Sequence, residues 1–215
     1  MKKLYVFIGP PGCGKGTQAG FLKKEKHFNS YSGGEILRAE VAKGTAIGKK
    51  ADSYLQKGLL VPSEMILGFM LKRLASSKKP VVFDGYPRLL DQAETLDKYL
   101  VGKKIDATAI LFDLPDAEVL ERITGRRTCE KCGAIYHLKF NPPKKKNVCD
   151  KCGGKLFQRN DAKVSVVKNR LKVYHTQTEP VVGFYKKNKN YKFYKISSLG
   201  SIEKTRKQLL SAVGL

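Results

Sequence analysis

GPPGCGKGT, residues 9–17, follows the apolar run LYVFI and precedes a stretch patterned as a helix. Glycines at 9, 12, 14 and 16 let the backbone curl so that its N–H groups point inward at a phosphate. The helix N-terminus adds partial positive charge, and Lys15 is placed to reach the terminal phosphates of a nucleotide. The placement between strand and helix favours a phosphate loop over a glycine-rich turn that only joins the two. The general pattern has Ser or Thr directly after the lysine, whereas here Gly16 intervenes and Thr17 follows. Cys13 occupies a variable position of the loop. A thiol at a helix N-terminus can be reactive, but a small filler residue is the plainer reading.

Outward from this loop, strands and helices alternate. Residues 2–8 read as a strand and 14–26 as a helix. VVF within KKPVVFDGYPR (78–88), DATAILFDLP (106–115) and YKFYKI (191–196) read as three further strands. Helical patterns cover 89–101, 115–127, 163–189 and 201–213. The alternation predicts an α/β fold, a phosphate-loop parallel sheet flanked by helices with right-handed crossovers. Two stretches depart from it. Residues 31–76 read as consecutive helices opened by Ser32-Gly33-Gly34-Glu35, which has capping-box spacing. The second departure is a cysteine insert over 128–158. The expected organisation is a core of 1–30, 77–127 and 160–215, with excursions at 31–76 and 128–159.

The chain has 215 residues, enough for one α/β domain with insertions, and its 41% apolar content argues for a folded protein. The N-terminal apolar run is too short for the core of a signal peptide, and nothing approaches a membrane span, so a cytoplasmic protein without membrane partners is expected. The net charge of +23 suggests either nucleic acid or anionic small substrates. Of 42 basic residues only nine are Arg. The lysines are scattered in pairs such as Lys23-Lys24 and Lys186-Lys187, as on a solvated face, so the arginines carry the information.

Cys129-x-x-Cys132 and Cys149-x-x-Cys152 are separated by sixteen residues. In a reducing compartment this spacing means a four-cysteine zinc site, closed to a fifth ligand and therefore structural. A free-standing ribbon on nucleic acid is the rival reading. Against it, the insert is bracketed by Arg126-Arg127 on one side and Arg159 on the other, so it caps a phosphate site. Arg88 follows Asp84-Gly85-Tyr86-Pro87 at the carboxyl end of a strand, where open α/β sheets bind ligands. Arg122 and Arg126 are four apart and are expected on one helix face; Arg170 lies on the helix after the insert. Guanidinium forks bind two phosphate oxygens at once. The chemistry that fits is phosphoryl transfer between two phosphorylated molecules, which needs charge and alignment more than acid–base groups. The three histidines, His27, His137 and His175, stand in no catalytic context, and His137 is expected to pack or stack within the insert.

Taken together, GPPGCGKGTQA, SGGEILR (32–38), DGYPR (84–88), GRR (125–127), YHLKFNPP (136–143), Arg159 to Asp161 and Arg170 resemble the adenylate kinase family, in its variety with a long zinc-bearing lid. The resemblance implies MgATP + AMP giving two ADP, with the excursions a nucleoside-monophosphate domain and a closing lid. On the ATP side it places Gly12, Cys13, Gly14, Lys15, Gly16, Thr17, Arg122, Arg126, Ile135, Tyr136 and Gly200. On the AMP side it places Gly33, Arg38, Leu59, Leu60, Val61, Gly85, Tyr86, Pro87, Arg88, Arg159, Arg170 and the adenine reader Gln92. Arg126, Arg159 and Arg170 would surround the transferred group, and Asp84 would act through magnesium-bound water. One structural Zn2+ per chain and a monomer without nucleic-acid partners complete the expectation. Two positions depart from the family pattern: Gly33 replaces a common Thr, and Asp161 is followed by Ala162 rather than a second acid. Asp161 is expected to carry alone what two acids share, and Ala162→Asp to be tolerated or to improve activity.

Overall fold

The structure, a computed structural model, describes residues 2–215. In chain order the elements are β1 (Lys3–Ile8), α1 (Lys15–Glu25), β2 (Asn29–Ser32), α2 (Gly33–Ala42), α3 (Ala46–Lys57), α4 (Glu64–Ser76), β3 (Val81–Asp84), α5 (Leu90–Lys103), β4 (Asp106–Asp113) and α6 (Asp116–Thr124). They continue with β5 (Arg126–Cys129), β6 (Ile135–His137), β7 (Leu156–Phe157), α7 (Val164–Val173), α8 (Glu179–Lys187), β8 (Tyr191–Ser197) and α9 (Ile202–Val213). Five strands form one parallel sheet in the order β2-β3-β1-β4-β8.

The period-2 direction of strand side chains divides the core between the two faces of this sheet. Leu4, Val6 and Ile8 enter one cluster with Met70 and Leu74 of α4, Leu96 of α5 and Val181 of α8. Tyr5 and Phe7 enter the other with Leu22 of α1, Ile123 of α6, Leu171 of α7 and Leu209 of α9. Both faces are covered, which is why β1 reads as a near-continuous apolar run.

Four expectations change. First, β2 was not anticipated: NSYS is a short, half-buried edge strand without an apolar run, fixed by its parallel register with β3. The boundary expected between residues 30 and 31 falls inside this strand. Second, Ser32 does cap α2, but its side chain accepts no hydrogen bond from the first turn. Glu35 instead lines the cleft beside Arg38, so the capping box does not form.

Third, α6 ends at Thr124, so Arg122 and Arg126 do not share a helix face; Arg126 opens β5 and pairs with His137. The insert captures the helix end, because the Leu138 N–H donates to the Gly125 carbonyl at 3.0 Å. Fourth, the helix expected over 163–189 is two helices joined by a π-helical turn at 174–178. Pro180 has no N–H to continue the ladder.

The cysteine insert is a separate three-stranded antiparallel sheet, β6-β5-β7. Its buried apolar cluster is only Cys129, Tyr136, Cys149 and Leu156, with Ala134 packed on it. Such a core is too small to hold about thirty residues together without further crosslinking. Among the described residues, no helix is long and apolar enough to cross a membrane.

Candidate functional site

The site forms where β1 and β3 end. Gly14 has φ 92°, a left-handed conformation that glycine adopts without strain, and from it α1 departs. The Lys15 ammonium, buried at the mouth of the loop, donates to the carbonyls of Gly9 and Pro10, each at 2.9 Å, and lies 3.1 Å from the Cys13 sulfur. Cys13 is itself buried, in line with the filler reading. The glycine that displaces the usual hydroxyl residue now has a reason. A Cβ on Gly16 would sit 3.1 Å from Asp84 Oδ2, so a side chain there would press on the carboxylate that approaches from β3. Burial pushes the Asp84 carboxyl up, more than Lys15, Arg88 and Arg38 pull it down. Gly85, at φ 63°, turns the chain so that Arg88 folds back, its Nε donating to the Gly85 carbonyl at 2.7 Å.

Two cavities meet here. A cleft of about 850 Å³ lies between the phosphate loop, α6, β6, the 198–201 loop and the start of α9. Its walls include Gly12 to Thr17, Arg122, Arg126, Ile135, Tyr136 and Gly200. A narrower pocket is walled by Gly33, Leu59, Leu60, Val61, Gly85, Tyr86, Pro87 and Gln92. Lys15, Arg38, Arg88 and Arg170 line both cavities, and so mark their junction. Arg126 and Arg159 approach from the insert side.

Asp161, in a 3-10 turn at 160–162, is the counter-charge. It pairs with Arg159, with Arg170 at 3.3 Å and with Arg126 at 3.8 Å. Burial raises its carboxyl, but the three guanidinium groups outweigh that and hold it below the ordinary value. The arginines themselves are strained electrostatically. Burial, with Arg159 and Arg126 adding repulsion, lowers Arg38 to about 10. Burial together with Arg126, Arg88 and Arg159 lowers Arg170 to about 9, despite the attraction of Asp161. Arg126 is lowered by burial and then by Arg159. Its Nε and Nη2 are buried with no hydrogen-bond partner, although Nη2 keeps the longer ion pair to Asp161. Unpaired buried donors of this kind are costly and mark a place for an anion.

Five arginines thus converge. Arg122 stands at the cleft edge, donating to the Ser198 carbonyl at 2.8 Å. The others serve structure: Arg127 bonds the carbonyls of Thr124 and Arg126, Arg73 lies over Tyr31 and Phe69, and Arg206 over Phe21. Gln92 is 4% exposed, and its Oε1 accepts from the Arg88 N–H at 2.9 Å, so its NH2 is left as a donor to the pocket. At Gly33 an added Cβ would meet Gly85 O and Tyr86 Cβ at 3.7 Å, so the missing threonine leaves space. Ala162 is 1% exposed in the cluster with Val167 and Leu171. An acid there would be buried among these apolar side chains, so Ala162→Asp destabilises rather than being tolerated. His137 stacks on Phe140 with ring centroids 4.6 Å apart, as expected. Phe140 on the cleft wall and Tyr174 on the pocket wall were not anticipated as site residues; nothing in their local sequence distinguishes them from core aromatics.

The four cysteine sulfurs lie within 4.8 Å of one another, with Cys129–Cys152 at 3.5 Å and Cys132–Cys149 at 3.6 Å. A tetrahedron with ~2.3 Å metal–sulfur bonds has edges of about 3.8 Å, so the cluster's spacing fits a zinc ion with small adjustments.

This fold and charge cluster define a nucleotide-binding α/β protein of the phosphate-loop class. A family model described as adenylate kinase matches residues 7–190. Adenylate kinases from Methanocella arvoryzae and Archaeoglobus fulgidus are each 50% identical, over 187 and 186 residues; both alignments cover 85% of this chain, and 86% and 85% of the respective relatives. That of Caldicellulosiruptor bescii is 44% identical over 216 residues, covering 98% of each chain. The chain belongs to the adenylate kinase family.

Proposed function

We propose that the chain is an ATP:AMP phosphotransferase that interconverts MgATP plus AMP with two ADP. The observation that carries this reading is the junction of two cavities lined by shared cations, Lys15, Arg38, Arg88 and Arg170. A hydrolase needs one phosphate pocket, whereas transfer between two nucleotides needs two that meet head to head.

In this reading the loop amides and Lys15 hold the donor phosphates in the large cleft, with Arg122 at its edge and Ile135, Tyr136 and Gly200 on its walls. Arg38 and Arg88 hold the acceptor monophosphate. The Gln92 NH2 meets a ring nitrogen of adenine, and the backbone of Leu59 to Val61 lines the base pocket. Arg126, Arg159 and Arg170 close on the transferred group, where dispersed negative charge is matched by fixed forks that need no reorganisation. The acceptor phosphate is already ionised, so no general base is required. Asp161 offsets the repulsion among the three arginines and keeps them oriented before the nucleotides arrive. Asp84, raised by burial, and the exposed hydroxyl-bearing Thr17 form the oxygen donor set suited to a hard divalent cation. Mg2+ held there would supply positive charge against the phosphate oxygens.

The segment after β2, 33–76, is the monophosphate-binding part and 128–159 the lid, whose four cysteines hold one structural zinc. The lid excludes water, which favours transfer over hydrolysis. We place the enzyme in the cytoplasm as a monomer without nucleic-acid partners. The test is ADP formation from ATP plus AMP compared with ATP alone, then with GMP, CMP and UMP as acceptors. ADP production from ATP alone at a similar rate overturns the reading.

A further inference from the structure

Tyr136 faces two ways. With Ile135 it walls the large cleft, and the residue is 6% exposed, packed in the small cluster with Cys129, Cys149 and Leu156. Its hydroxyl lies 3.6 Å from the Cys149 sulfur and accepts a 2.8 Å hydrogen bond from the backbone N–H of Asp150. That bond engages an oxygen lone pair, so the hydroxyl proton is left for the sulfur. A phenylalanine would fill the same apolar volume, and packing alone does not account for the hydroxyl.

We propose that Tyr136 is a positioning residue for the four-cysteine site, donating its hydroxyl proton to the Cys149 sulfur and tying that site to the wall of the nucleotide cleft. The inference rests on the zinc reading of the cysteine cluster. Four thiolates around a divalent cation leave two excess negative charges, and hydrogen bonds to sulfur disperse them; such outer partners change metal affinity by ~10–100-fold. The tie to the cleft runs through strand pairing. Tyr136 pairs with Arg127, and the neighbouring His137 with Arg126, whose side chain points at the cation cluster. Anything that steadies β5 against β6 steadies both the cysteine turn that ends β5 and the arginine that begins it. Coupling of this kind is reciprocal in binding free energy, so a nucleotide in the cleft tightens metal binding.

The test compares the parent, Tyr136→Phe, and a control, Tyr185→Phe, which removes a buried hydroxyl far from the lid cluster. Metal content is measured first, then zinc release to a colorimetric chelator with and without ADP, and the absorption of cobalt-substituted protein. One zinc per chain is expected in all three. Tyr136→Phe should hold it about ten-fold more weakly or worse and release it faster, with ADP protecting it less than the parent. Its thiolate-to-cobalt band should move to lower energy, because a sulfur without its hydrogen bond gives up charge more readily. Tyr185→Phe should match the parent. Equal release and an unmoved band overturn the proposal; faster release with an unmoved band assigns the residue to packing and overturns it as well. A parent without stoichiometric metal sinks the zinc reading, and this inference with it.

Discussion

Arg126→Met separates catalysis from stability at one position. In the free protein the Arg126 guanidinium is buried, repelled by Arg159, and has two nitrogens without hydrogen-bond partners. Its one compensation is a 3.8 Å ion pair to Asp161, which keeps Arg159 and Arg170 when Arg126 is gone. Relieving unsatisfied buried donors is worth about 1–3 kcal/mol each, and losing the longer of three ion pairs offsets part of that. For a chain of this size about 1 kcal/mol moves Tm by ~2–4 °C. Melting should therefore be unchanged or a few degrees higher. Turnover should move the other way. A fixed donor aimed at charge that develops in the transition state is worth ~2.7–4 kcal/mol, or about 10²–10³ in kcat. Arg126→Lys keeps the charge but loses the fork, and should cost on the order of 2 kcal/mol, ~30-fold in kcat/KM. The assay is coupled detection of ADP from ATP plus AMP, with calorimetric melting of the same samples. A kcat/KM within a few-fold of the parent, or an activity loss that tracks a fall in Tm, refutes the reasoning.

Lys15→Met should stay folded and lose orders of magnitude in turnover, since its ammonium sits at the junction of both cavities; near-normal kcat would sink the nucleotide assignment. Asp161→Ala should lower activity by leaving three guanidinium groups to repel one another, and Ala162→Asp should lower Tm because it buries a carboxyl beside Val167; kinetics and melting curves check the pair. Cys149→Ser should lower Tm sharply, while at a temperature where circular dichroism shows an intact fold a measurable share of turnover remains, because Lys15, Arg38, Arg88 and Arg170 lie outside the ribbon and only Arg126 begins one of its strands. Activity in strict proportion to zinc, with the fold intact, would make the metal catalytic. His175 bridges Glu179 and Asp116, each at 2.9 Å, and these hydrogen bonds raise it above its ordinary value. Its contribution to stability is complete below about pH 6.5 and is lost as pH rises through the raised folded value. His175→Gln should flatten that part of a plot of Tm against pH, and an unchanged slope counts against the bridge.

What the amino-acid order determines by itself here is local and periodic. LYVFI alternates side chains between two buried faces, and GPPGCGKGT places glycines where a backbone must turn back on itself. Each Cys-x-x-Cys turn presents its own two sulfurs. These features depend on neighbours a few residues away, so a one-dimensional reading reaches them. The strand NSYS escaped it because an edge strand is held by its register with β3 rather than by an apolar run of its own. The 3.6-residue period continues through Arg126 and predicts a helix there; the helix stops because a carbonyl is captured by Leu138 from the insert. The cation cluster itself belongs to tertiary structure. Arg38, Arg88, Arg126, Arg159 and Arg170 come from separate segments, and only the parallel sheet and the returning insert bring their heads together around Asp161. Mutual repulsion would drive those charges apart in any local structure, so burial by the rest of the core is what holds them in one place, ready for an anion.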